Sequence, residues 1–182
     1  MGGAPAHLLL LLSACTSGTV DSPHRDYAEG LVEAGLAAAP AGQAWLEAAD
    51  SVLASPRTIL LPFSEEGWLP ADRASAIGLR FDAPAQRWVT IRMSLDEPDF
   101  ARVFIDAFRM PREPGDSIEV IASAPDTMNE LTLRVRRSAD LVVRVQPELL
   151  RGGPYRLTVM AAEEEPVTHV LQRDAPLAAT VR

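Results

Sequence analysis

The sequence predicts a mainly β protein: an antiparallel, jelly-roll-like β-sandwich of seven to eight strands preceded by an N-terminal α-helical hairpin. Three observations predict it. From about Thr58 to Met160, apolar residues recur with period two in successive short runs. Those runs are separated by Pro, Gly and Asp, in a chain of 182 residues with 15 Pro and 11 Gly. Ahead of them lies an Ala-rich stretch whose apolar residues fall at helical spacing.

Residues 1–15 read as a targeting segment. The apolar run Leu8–Leu12 is far shorter than the roughly 20 residues a membrane-spanning helix needs, and it ends in small residues, as a secretory signal does. Leu12-Ser13-Ala14-Cys15 resembles a bacterial lipobox, which implies acylation of the Cys15 thiol and makes Cys15 the first residue of the mature protein. Cys15 is the only cysteine in the chain, so it also excludes an internal disulfide. Thr16 follows it where lipoproteins retained at the inner membrane carry Asp, so the resemblance implies the outer membrane, facing the periplasm. The segment before the apolar run departs from such signals in having no Lys or Arg.

Residues 16–56 carry the predicted hairpin. Asp21 or Ser22 caps the first helix and Pro23 stands in its first turn, where a missing N–H costs nothing. Tyr27, Leu31 and Ala34 share one face. Pro40-Ala41-Gly42 is read as the break, followed by a helix over Gln43–Ala54 with Trp45, Ala49 and Val52 on one side. Ser55-Pro56 ends it.

Residues 57–160 form the predicted sandwich. Seven alternating runs start near Ile77, Val89, Val103, Ile118, Leu131, Leu141 and Tyr155, with Thr58–Phe63 as an eighth. Strands wet on one side suit an antiparallel sandwich. Residues 161–182, with Glu163-Glu164-Glu165 and no periodicity, read as an acidic linker or tail.

Two passages carry a resemblance. Ile77-Gly78-Leu79-Arg80-Phe81 followed by Gln86-Arg87-Trp88-Val89 resembles the opening of pre-peptidase-type jelly-roll domains. The stretch from Leu141 through Pro147-Glu148-Leu149-Leu150-Arg151-Gly152-Gly153 to Thr158 is similar to a hairpin in the N-terminal, non-catalytic module of envelope lysostaphin-type zinc metallopeptidases. The resemblance spans roughly residues 25–160 and implies an envelope protein that binds or positions, toward peptidoglycan or a peptidase partner. Enzymes of that type hold zinc through H-x-x-x-D and H-x-H motifs. Here His169 and Asp174 are five apart and no H-x-H occurs, so neither a catalytic nor a metal site nor a cofactor is expected. A truncated or split metallopeptidase, a murein endopeptidase in function, is the alternative. A carbohydrate- or peptide-binding module is a third reading.

The charge balance excludes another class. The formal charge is −8 and every base is Arg, without the basic excess that nucleic acid demands. Residues 77–160 carry 12 acids and 12 Arg, so the acidity lies outside the sandwich. Glu65-Glu66 and Asp96-Glu97-Pro98-Asp99 lack the D-x-D-x-D-G pattern of a calcium loop and read as solvated. The candidate ligand residues are Arg80, Arg92, Arg134, Arg144 and Arg156, all on polar strand faces, with Trp68 and Trp88. On neighbouring strands the Arg residues would form a stripe suited to carboxylates or phosphates. The competing reading pairs each with an acid across the strand, such as Asp82, Asp106 or Glu119. The indoles are read either as sugar-stacking platforms or as packing residues.

Overall fold

A computed structural model describes residues 20–95, 102–110 and 118–165. Cys15, the Asp96–Asp99 cluster, and His169 with Asp174 lie outside the described residues.

Ser22 caps α1 (Pro23–Glu33), its hydroxyl accepting from the Arg25 amide at 3.3 Å, with Pro23 at the first helical position. The break between the helices falls earlier than the sequence suggests. Gly35, at φ 70°, turns the chain into a short 3₁₀ helix (Leu36–Ala38), and α2 then runs from Pro40 to Ala54. Pro40-Ala41-Gly42 therefore opens the second helix. A proline at the first position loses only an N–H that has no helical partner, and its fixed φ suits the turn. Gly42 is required there because a Cβ would sit 2.1 Å from the Leu36 carbonyl oxygen.

Among the described residues, nine strands make two sheets. The five-stranded sheet has the order β1 (Arg57–Thr58), β3 (Ile77–Ala83), β8 (Ala139–Pro147), β5 (Val103–Arg109), β6 (Glu119–Ser123). The four-stranded sheet has the order β2 (Phe63–Leu69), β9 (Gly153–Ala162), β4 (Arg87–Leu95), β7 (Glu130–Val135). All pairs are antiparallel except the two-residue β1–β3 contact. The expected Thr58–Phe63 strand is divided between the sheets. Arg57 and Thr58 pair with β3, the chain turns through a cis Leu61–Pro62 bond, and Phe63 begins β2 opposite Val159. Proline has no N–H to continue a ladder, so the change of sheet falls there.

Alternate residues of both sheets meet in one core, with Leu79, Phe81, Val89, Ile91, Met93, Ile105, Leu141, Val143, Leu157 and Val159 all at most 2 % exposed. The helices bury the outer face of the five-stranded sheet through a second cluster of Leu31, Trp45 and Phe104, extended by Tyr27, Leu46 and Leu149. The α2 backbone lies so close to β3 that a Cβ on Gly78 would be 2.3 Å from the Val52 carbonyl oxygen. The Pro147–Gly153 turn packs there too, its Leu149 amide donating to the Tyr27 hydroxyl at 3.2 Å. Within that turn the left-handed backbone falls on Leu150, at φ 57°, and the extended positive φ on Gly153. Gly152 serves a close approach instead, since a Cβ would lie 2.1 Å from the Leu69 carbonyl oxygen.

Candidate binding face

Sheet pairing divides the five arginines between opposite faces of the sandwich. Arg80 on β3 and Arg144 on β8 belong to the five-stranded sheet, whereas Arg92, Arg134 and Arg156 belong to β4, β7 and β9 of the other. A single stripe of all five is therefore not formed, because β3 pairs with β1 and β8, and β8 with β3 and β5, and neither pairs with β9 or β4.

Arg144 is buried, at 7 % exposed, and its Nη2 donates to Asp106 Oδ2 at 2.6 Å. Asp106 Oδ1 accepts from Ser22 at 3.0 Å and from Ser123 at 2.6 Å. The carboxylate thus faces the N-terminal end of α1, where a helix dipole favours negative charge. The Arg144 guanidinium also lies 5.1 Å from the Phe108 ring centroid, and its Nε has no partner among the described residues. Beside this pair, Gln146 Nε2 donates to the Trp45 carbonyl at 2.8 Å, which leaves its Oε1 to accept from His24 Nε2 at 2.7 Å. His24 therefore carries a proton on Nε2. It stacks on Trp45 with ring centroids 4.6 Å apart. Burial, and after it the charge of Arg144, push its pKa down to about 4. This network fastens the hairpin to the sheet; Ser22, His24, Asp106, Arg144 and Gln146 are buried, and Ser123 is half-buried at the wall of a cleft. Arg80, half-buried at the rim of the same sheet, holds Asp140 through Nε at 3.0 Å to both carboxylate oxygens.

The outer face of the four-stranded sheet is different. Both described helices pack on the other sheet, and the outward residues here are exposed or half-buried. The register arranges them in rows. Trp68 stands beside Pro154, then Glu66, Arg156 and Ser94 share a row, followed by Ser64, Thr158, Arg92 and Glu130. Met160, Thr90 and Thr132 come next, and Ala162, Trp88 and Arg134 form the last row. Trp68 is 68 % exposed and Met160 is 48 % exposed. The Arg134 guanidinium lies over the Trp88 ring, 5.8 Å from its centroid, within reach of a cation–π contact. Arg92 pairs with the half-buried Glu130, and Arg156 pairs with Glu66 in solvent. The result is a flat polar surface with an indole near each end and guanidinium and hydroxyl groups between. Arrays of that kind bind by stacking and hydrogen bonding. Among the described residues there is no group of three or more potential metal ligands. Glu65 and Glu66, adjacent in sequence, point to opposite sheet faces: Glu65 accepts from Tyr155 at 3.0 Å and from Arg57 at 2.6 Å inside the edge, while Glu66 meets Arg156 outside.

A separate cleft of about 850 Å³ lies between α1 and the end of β6, lined in part by Tyr27, Leu31, Leu36, Asp26 and Asp126.

Met160, Thr90 and Ser94 were not legible as site residues, since their place depends on strand register. The buried network did leave a signal: within the period-two run from Val103, the intervening Phe104 and Phe108 are apolar too, as in a strand covered on both faces, and the Asp106 between them needs buried partners.

No family model matches the chain, and no curated protein matches it in sequence. Among solved structures, it is similar to the Aeromonas hydrophila periplasmic inhibitor of g-type lysozyme, PliG, at 15% identity and a TM-score of 0.42, covering 58% of this chain and 96% of that one. It is also similar to the pre-peptidase C-terminal domain of a Bacillus anthracis collagenase, at 15% identity and a TM-score of 0.44, covering 58% and 94%. A third likeness is to the Yersinia pseudotuberculosis-derived mitogen, at 11% identity and a TM-score of 0.40, covering 62% and 97%.

Proposed function

We propose that this protein is a non-catalytic binding module of the bacterial cell envelope, held by a lipid on Cys15 at the outer membrane, and that the outer face of its four-stranded sheet is the ligand face. The observation that carries the reading is the asymmetry of the sandwich: helices fill one outer face, while the other presents Trp68, Arg92, Arg134 and Arg156 to solvent, with Trp88 half-buried beside Arg134. Peptidoglycan is the ligand this set suits, with hydroxyls and carboxylates for the guanidinium groups and sugar rings for the indoles. Retention of the full chain on insoluble peptidoglycan tests it. Arg92→Ala, Arg134→Ala and Arg156→Ala together are expected to reduce retention several-fold, and Arg80→Ala, on the other sheet, to leave it unchanged. Retention that the triple variant does not alter overturns the ligand face. The anchor is tested separately by labelled palmitate, and incorporation that survives Cys15→Ser overturns it.

A peptidase partner, or a metallopeptidase from which this chain is split, is the second reading, favoured by the Pro147–Gly153 turn and its likeness to the N-terminal modules of such enzymes. An H-x-x-x-D and H-x-H reading frame continuous with the coding sequence would establish it.

A further inference from the structure

Resting on that ligand face, we propose that its ligand is a linear glycan strand lying diagonally across the sheet from Trp68 to Trp88, and that the glycan rather than the peptide of the polymer is recognised. The register sets the geometry. Trp68 is opposite Pro154 and Trp88 is opposite Ala162, so the two indoles stand on either side of β9, eight residues apart along it. At about 3.3 Å per residue and about 4.8 Å per strand, they are separated by about 26 Å along β9 and about 10 Å across it, roughly 28 Å on the diagonal. About five β-linked hexose rings cover that span.

What lies between suits sugars. The diagonal crosses Arg156, Thr158, Arg92, Thr90 and Met160. Arg156 and Arg92 are each held by a carboxylate, Glu66 and Glu130, which orients the guanidinium groups and leaves further N–H donors for hydroxyls. The Thr90 and Thr132 hydroxyls are 3.2 Å apart, a pair that donates and accepts at one place. Met160, 48 % exposed beside the Trp88 row, gives an apolar surface for the face of a ring. A peptide would instead seek a free strand edge or a deep side-chain pocket. Here the diagonal starts at Trp68 on the edge strand β2 but runs over β9 and β4, whose backbone groups are already paired on both sides, and the inward Glu65 guards the β2 edge.

The test is a titration of the full chain with N-acetylglucosamine oligomers of two to six units, which carry the glycan chemistry without stem peptides. Affinity is expected to rise at least tenfold between the dimer and the pentamer and to level off beyond it. Trp68→Ala and Trp88→Ala should each remove most of that gain while Trp68→Phe keeps it. Trp68 is mostly exposed, so Trp68→Ala leaves folding intact, as thermal unfolding will register. Equal affinity for dimer and hexamer, or a length dependence insensitive to both Trp→Ala changes, overturns the diagonal glycan site. If peptidoglycan is retained through the face arginines but oligomers of every length fail to bind, this inference falls and the binding module stands. If peptidoglycan itself is not retained, the reading beneath it falls.

Discussion

The same side chain serves two chemistries here according to its depth. Arg156 sits in solvent with Glu66, where an ion pair is worth about 1 kcal/mol or less and the guanidinium stays available. Arg144 forms its pair with Asp106 out of water, and removing one partner strands the other charge. Asp106→Ala is therefore expected to cost on the order of 3–5 kcal/mol in urea unfolding, with Asp106→Ala plus Arg144→Met recovering much of it. His24 gives a pH dependence with a definite sign. Its folded pKa, about 4, lies below its ordinary value of 6.5, so the unfolded chain takes up the proton first. The stability it supports is complete above pH 6.5, falls as the pH drops toward 4 and is then fully lost, about 3 kcal/mol in all. Unfolding free energies between pH 7 and 4 should show this fall in the wild type and lose that component in His24→Phe.

Among the elements, α2 and β2 show what pattern reading reaches and what it misses. The position of α2 on β3 depends on one missing methyl group at Gly78, whereas Gly30 in α1 has nothing within 4 Å of where a Cβ would stand. Gly78→Ala should lower stability by about 1–3 kcal/mol by pushing the helix away. Gly30→Ala should raise it by up to about 1 kcal/mol through helix propensity alone, and thermal unfolding of the two variants measures the contrast. Strand β2 was hidden in Phe63-Ser64-Glu65-Glu66-Gly67-Trp68-Leu69, whose two acids and glycine read as a solvated loop. Its inward Glu65 is satisfied by Tyr155 and Arg57, and Gly67 lies under the Tyr155 ring. An inward charge on an edge strand discourages pairing with another chain. Burial and the Glu65 bond push the Tyr155 phenol up to about 12, so that hydroxyl keeps its proton and remains a donor.

For the whole molecule, the decisive feature is which outer face the hairpin covers. Because α1 and α2 pack over β5, β8 and β3, the chain leading to α1 emerges on the side opposite the open sheet face. The tether proposed at Cys15 would join the described fold at the start of α1, on the side away from Trp68 and Trp88. Retention on peptidoglycan should accordingly be as strong for the acylated protein on vesicles as for the Cys15→Ser form in solution, a comparison that co-sedimentation makes directly. The sequence by itself determined the class and most of the elements. Period two marked seven strands, from Ile77 through Tyr155, because a half-buried strand must alternate, and Ser22 with Pro23 marked the start of α1 because unpaired amides need a cap. These are local requirements that each segment meets with its own residues. Only the tertiary structure decided that Arg144 is buried and Arg156 is open, that Glu65 faces inward, and that two indoles twenty residues apart in sequence share one surface. Alternation divides each strand into two faces but does not say which strand lies beside it or what covers the polar side. Pairing and covering are settled by contacts between distant segments, and the binding face exists only once they are made.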